Sequence, residues 1–374
     1  MDKTFSITAN PARILLGPGP SMADPRVLQA MARPLIGHLD PEFLKLMAQV
    51  QELLRFVFET NNELTLAVPG TGTAAMETAV AAVVEEGTPV LVCRAGYFGG
   101  RIAEMAQVYG ADLAVLEKPM GQIFSAQEVR EALQKKRARV VALVQAETST
   151  GVLQPVREIA EVVHQQGGLL LVDAVTSLGG VRVAVDENGI DVCYSCSQKC
   201  LGCAPGASPI TFGPRAVEML RRREIPIASW YLDINRLAKY WGPEHVYHHT
   251  ASSPLVYGLE EGLRIVHEEG LEARFERHWR NARLLWQGLQ GLGLSLFVPG
   301  TYRLPTLTTV NIPAGVDDAA FRKRLLEKYN IEISGGLGEL KGKIWRIGLM
   351  GYSSRPENIQ LLLKALEDLL GRAQ

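Results

Sequence analysis

An α/β fold is predicted, with a large domain built on a mostly parallel sheet and a small C-terminal α+β domain. Three observations predict it. Short apolar runs alternate with segments of helical period from Glu63 to about Gly213. Several of those runs are apolar throughout, as strands buried on both faces are. Past residue 255 the alternation gives way to a long helical stretch, then a mixed pattern.

The elements follow in order. LTLAV (64–68), PVLVC (89–93), DLAVLE (112–117), RVVALVQAE (139–147) and LLLVDAV (169–175) read as strands. An apparent strand from Ile190 to Ser197 follows. TAAMETAVAAVVEE (73–86) and PVREIAEVVHQ (155–165) read as helices, the second with Val156, Ile159, Ala160 and Val163 on one face. The closing part reads as a connecting helix and a small domain, giving 21–255 for the large domain and 256–374 for the rest. Residues 1–20 hold two Gly-Pro pairs and little periodicity, so an extended arm outside any core is expected.

Composition excludes several classes. The chain of 374 residues is 47% hydrophobic and 21% charged, ordinary for a globular enzyme. A formal net charge of −1 gives no electrostatic case for nucleic acid or anionic membrane as a partner. No signal-peptide-like or membrane-spanning apolar run is evident, so a cytoplasmic location is expected. Cys193, Cys196, Cys200 and Cys203 cluster as C-x2-C-x3-C-x2-C. Structural zinc sites place their paired cysteines further apart, so small buried residues packed near a ligand are the preferred reading and no metal is expected.

In open sheets of this kind ligands sit beyond the carboxyl ends of the strands. Those ends carry PGTGT (69–73), RAGYFGG (94–100), ETSTG (147–151), DAVTS (173–177) and SCSQK (195–199). Asp173 closes one strand and Lys199 is expected to close another. Alone, such an acid is often structural, and a lysine is usually a solvated surface group. Together they suit pyridoxal phosphate, which needs an amine for a Schiff base and a carboxylate beside its pyridine nitrogen. Thr71, Gly72 and Thr73 precede a helix, where free backbone N–H groups favour a phosphate. Thr73 also suits a plain helix cap.

The segments LLGPGPS (15–21), VPGTGTAAME (68–77), AETSTGVLQP (146–155), LLLVDAVTSLGG (169–180), DVCYSCSQKCLG (191–202), YHHT (247–250), IEISGGLG (331–338) and WRIGLMG (345–351) closely resemble alanine–glyoxylate and serine–pyruvate aminotransferases. These are class V enzymes of pyridoxal-phosphate fold type I. The resemblance runs nearly end to end and in the same order. It implies that Lys199 bears the cofactor, that Asp173 partners the pyridine nitrogen, and that Val175 packs on the ring face. It further implies that Thr71, Gly72, Thr73 and Gln198 hold the phosphate, that Thr148 contacts the ring and that Phe98 stacks on it. Tyr247 and Thr250 match positions reaching the phosphate of a neighbouring subunit, which implies a homodimer with shared sites. Arg346 matches the clamp for a substrate α-carboxylate, a task its planar fork suits, although a strand arginine can also pair with a structural acid.

Gly19 is placed beside the substrate, and His38 resembles an entrance-loop position that is structural or functional. Two departures stand out: TGT replaces the Ser-Gly-His of mammalian members, and ASSP follows YHHT. The implied activity is transamination between alanine or serine and glyoxylate or pyruvate. Transaminases for 2-aminoethylphosphonate or 3-hydroxykynurenine, and a hydrogenase-associated or regulatory subunit, share the fold. A cysteine desulfurase needs a reactive cysteine in the C-terminal part, and none follows Cys203.

Overall fold

The apolar runs at strand length assemble, in the computed structural model, into a seven-stranded sheet. Residues 11–371 are described. The strands are β1 (Leu64–Gly70), β2 (Pro89–Arg94), β3 (Asp112–Glu117), β4 (Val140–Val144), β5 (Leu169–Asp173), β6 (Val192–Tyr194) and β7 (Gly206–Phe212). Their order is β1-β7-β6-β5-β4-β2-β3. β7 runs antiparallel to both neighbours and the other pairings are parallel. Six strands therefore point the same way and bring their carboxyl ends to one edge. β4 and β5 are buried along their whole length, which explains their unbroken apolar runs.

Helices cover the sheet. α1 (Gly72–Val83) follows β1 and α2 (Tyr97–Val108) follows β2. Nine of the residues of α1 are buried, many of them alanine, so this helix lies close against the strands. The large apolar core runs in sequence from Val27 to Val266. A second core gathers Leu285, Leu325, Trp345, Ile359 and Leu366, with Phe321 stacked on Trp345 at 4.4 Å. It is organised by a three-stranded sheet of β8 (Leu307–Asn311), β9 (Ser334–Gly335) and β10 (Ile344–Gly348).

Four expectations need correction. Residues 1–10 of the expected arm lie outside the described residues, but the rest of it does not stay outside a core. Ile14–Leu15 pairs in parallel with Ile331–Glu332, and Leu16 is fully buried in the second core. A three-residue apolar run is too short to show a period, so it reads as loop. The single connecting helix is two, α3 (Ser253–Glu269) and α4 (Leu271–Gly291), separated by Gly270 at φ +78°. A left-handed residue there ends the first helix, and glycine takes that conformation without strain. RVVALVQAE is also divided. β4 ends at Val144, and Ala146–Glu147 turns away to pair with Val152–Leu153. Finally, Lys199 does not close a strand: β6 ends at Tyr194 and the lysine sits in the turn beyond it.

Candidate active site

The shared carboxyl edge opens into a cavity of about 240 Å³. Its walls bring together nine expected residues: Gly19, Thr71, Gly72, Thr73, Phe98, Asp173, Val175, Gln198 and Lys199. They arrive from the ends of four strands, β1, β2, β5 and β6, and from the segment around Gly19, which is why they are scattered in sequence. Pro20, Met76, Arg101 and Pro205 complete the lining and were not singled out from sequence.

Asp173 ends β5, opposite Tyr194 in the parallel ladder. Its carboxylate accepts from the Tyr194 hydroxyl and from the Val175 N–H, both at 2.8 Å. Burial raises it to about 7, while those two donors pull it back down. Lys199 is lowered from its ordinary value, chiefly by burial, which favours the neutral amine.

The turn bearing Lys199 is held from both sides. Ser21 donates its hydroxyl to the Lys199 carbonyl at 2.7 Å, and the Lys199 side-chain amine donates to the Pro18 carbonyl. Gly19 has φ +119°, and a Cβ there would meet the Lys199 side chain at 2.7 Å, so the position needs glycine twice over. From behind, the buried Arg274 donates to the Gly179 and Cys200 carbonyls at 2.8 and 2.6 Å. Sequence alone does not single out Ser21 within LLGPGPS, and it does not find Arg274, which belongs to no local motif.

Thr71 is the N-cap of α1 and makes no side-chain capping bond. The Ala74 N–H already donates to the Thr71 carbonyl at 2.7 Å, which leaves the N–H groups of Gly72 and Thr73 as the ones this helix start offers to an anion. The Gln198 Oε1 is buried without a partner among the described residues, an orphan acceptor at the same cavity. Arg101 reaches Thr73 Oγ1 with Nη1 at 3.4 Å, and its guanidinium lies 5.2 Å from the centre of the Phe98 ring.

Two expected residues, Thr148 and Arg346, are not among those lining the cavity. Thr148 shares a 2.5 Å hydroxyl contact with Thr176. Arg346, on β10 and 6% exposed, donates to the carbonyls of Gly335 at 2.8 Å and Thr148 at 3.3 Å. Burial lowers it to about 10. Strand alternation turns Trp345 into the second core and Arg346 the other way. Its hydrogen bonds go to carbonyls, so the alternative of a structural acid partner is not what the described residues display.

Tyr247 and Thr250 do not join the cavity: both are exposed, Tyr247 at 58%. His38 lies against Tyr247, with ring centres 5.1 Å apart, and its carbonyl accepts from the Tyr240 hydroxyl. The four clustered cysteines are buried free thiols. Burial pushes Cys196, Cys200 and Cys203 up to about 12, far from the thiolate that would react or bind metal.

Known proteins carry the same architecture. The family model for aminotransferase class-V matches residues 14–360. The chain belongs to the class V aminotransferases. This class V chain is 42% identical to the alanine–glyoxylate aminotransferase of Mus musculus, covering 96% of this chain and 88% of that one. It is 38% identical to the (S)-ureidoglycine–glyoxylate transaminase of Bacillus subtilis, covering 97% and 91%. A crystal structure of the alanine–glyoxylate aminotransferase of Nostoc sp. matches with a TM-score of 0.97 and 55% identity, covering 98% of both chains.

The class V chain is thus a pyridoxal-phosphate-dependent aminotransferase. The cavity fits that cofactor: it offers a buried carboxylate, a desolvated amine and a helix N-terminus whose first N–H groups suit a phosphate. Among the described residues no group of three His, Cys, Asp or Glu side chains is placed to hold a metal, and no helix is long and apolar enough to cross a membrane.

Proposed function

We propose that this enzyme transfers the amino group of alanine or serine to glyoxylate or pyruvate, with Lys199 bearing the cofactor. The observation that carries the reading is the cavity itself, in which a buried Asp173 and a buried Lys199 face one small space beside the first turn of α1. Similarity to enzymes named for alanine and glyoxylate supports the small substrates.

Pyridoxal phosphate, when bound, supplies an aldehyde that takes up the amino group and a ring that accepts the electrons left at the substrate α-carbon. Thr71, Gly72, Thr73 and Gln198 would hold its phosphate, Phe98 and Val175 its ring, and Thr148 its edge. Asp173 keeps a proton on the ring nitrogen. Its raised value reflects burial, and a cationic ring nitrogen alongside would bring the carboxylate back to its charged form. Lys199 takes the proton from the donor α-carbon and returns it on the other side of the exchange. Its lowered pKa, chiefly from burial, favours the unprotonated amine that accepts that proton.

Arg346 binds the α-carboxylate and so fixes the reacting carbon, an orientation effect. Gly19 leaves room for the substrate against Lys199. Donor and acceptor occupy the same small space in turn.

The exposed Tyr247 and Thr250 are proposed to complete the site of a second copy, making the working unit a homodimer. We further propose a cytoplasmic enzyme, with 1–20 as an arm, 21–255 as the large domain and 256–374 as connecting helices and small domain. The two separate apolar cores support a two-domain division, with α3 packing in the first core as far as Val266 and Leu16 of the arm packing in the second.

The test is a donor screen on cofactor-loaded protein: alanine, serine, glycine, glutamate, aspartate and 2-aminoethylphosphonate are added separately and the conversion of the cofactor to its amine form is followed by absorbance. Fast conversion by alanine or serine, reversed by glyoxylate, is expected. Conversion by 2-aminoethylphosphonate alone would move the substrate assignment to that enzyme type, and a protein taking up no cofactor would contradict the enzyme reading.

A further inference from the structure

Helix α2 begins without a capping side chain. Its N-cap is Gly96, in extended conformation, which has none to offer. The first N–H groups of a helix need acceptors, and burying them unpaired costs free energy. Here the acceptors come from ETSTG, some fifty positions along the chain. Ser149 Oγ accepts from the Tyr97 N–H at 3.0 Å. The two carboxylate oxygens of Glu147 accept from the Phe98 N–H at 3.4 Å and the Gly99 N–H at 3.3 Å.

Glu147 is itself fixed. It accepts from the Ser149 hydroxyl at 2.6 Å and the Ser149 N–H at 3.0 Å. Both residues are buried, at 6% and 0% exposure. The fit is close enough to dictate its neighbour: a Cβ at Gly96 would run into the Glu147 carboxyl, so the N-cap position must be glycine because the capping group arrives from elsewhere. Burial raises the carboxyl, and the Ser149, Gly99 and Phe98 donors oppose that rise. The positive end of α2 favours the charged form as well.

The capped residue matters. Phe98 lines the same cavity as Asp173 and Lys199. Glu147 does not line it.

We propose that Glu147, locked by Ser149, is a positioning residue that acts through the backbone of α2 to hold Phe98 against the cofactor ring. This rests on the preceding reading that the cavity takes pyridoxal phosphate. Glu147 has no contact with the reacting atoms. It holds the start of α2, and with it the tilt of the Phe98 side chain.

Glu147→Gln tests this. The shape is kept, but one acceptor becomes an NH2 group that faces donors, so the hold on Phe98 or Gly99 is lost. Three readouts on cofactor-loaded protein separate positioning from plain stability. The visible circular dichroism of the bound cofactor should fall at least about twofold, because its surroundings become less ordered. The rate of the alanine half-reaction should fall on the order of tenfold with little change in the alanine concentration needed for half saturation. In a Phe98→Ala background the same substitution should change the rate less than about twofold, because a residue acting through Phe98 has nothing left to position.

Ser149→Ala, which keeps the carboxylate, should move all three in the same direction by less, and serves if E147Q does not fold. Wild-type circular dichroism and rates in both variants, or a full independent loss in the Phe98→Ala background, would overturn the proposal while leaving the cofactor reading intact. Wild-type protein that takes up no cofactor would overturn both.

Discussion

The carboxyl edge of the large sheet and the exposed segment around Tyr247 both matched functional positions, yet they differ in physical character. At the edge, Asp173 and Lys199 are buried, and burial drives both titrations toward the neutral form. At the other segment, Tyr247 is mostly exposed and stands outside the cavity. One chain therefore brings Asp173 and Lys199 to a single cavity, whereas the role proposed for Tyr247 and Thr250 requires a surface supplied by a second copy.

The contrast ranks the expected effects of substitution. Lys199→Ala should lower the single-turnover rate by roughly 10⁴-fold, since it removes the proton-transferring group; stopped-flow absorbance with alanine measures it, and retention of a tenth of the rate would break the assignment. Asp173→Asn keeps the shape but not the charge, and should cost roughly 10²- to 10³-fold in the same assay. Arg346→Lys replaces a planar fork with a point charge, and should raise the half-saturating alanine concentration about tenfold or more while cofactor uptake stays near wild type. Tyr247→Phe should weaken cofactor binding by only about three- to tenfold, as one hydrogen bond is lost.

Mixing Lys199→Ala with Tyr247→Ala protein sharpens the comparison further. If each site draws its lysine from one chain and its tyrosine from the other, hybrids hold one intact site, and activity should exceed that of either parent. Activity equal to the average of the parents would place both residues in one chain's site.

A pH series on cofactor-free protein probes the buried edge alone. The Asp173 carboxyl is raised from 3.8 to about 7, so between those values the folded state binds more protons than the unfolded one. Its contribution to stability is present in full below the lower value and is lost as pH rises through the upper one. Thermal melting between pH 4 and 8 should show this decline, and Asp173→Asn should flatten it. Equal pH dependence in the two proteins would contradict the buried-carboxyl account.

Legibility in the sequence followed locality. The strand ends were readable because apolar runs and their closing polar residues are contiguous, and eight of the residues inferred there line one cavity, joined by Gly19. What escaped came from long-range contact. Leu16 enters a core formed by residues some three hundred positions later, Arg274 supports the lysine turn from α4, and Arg101 reaches Thr73 across two helices. The division of RVVALVQAE escaped for a related reason. Its apolar pattern is continuous, and only the pairing of Ala146–Glu147 with Val152–Leu153 reveals the break that turns Glu147 toward α2.

The central claim is that Lys199 carries the cofactor. Reducing the cofactor-loaded protein with borohydride makes the lysine linkage permanent, and peptide mass spectrometry then locates it. The account predicts one modified peptide, bearing the added mass on Lys199. Modification at another lysine, or none in protein that had taken up cofactor, would contradict it.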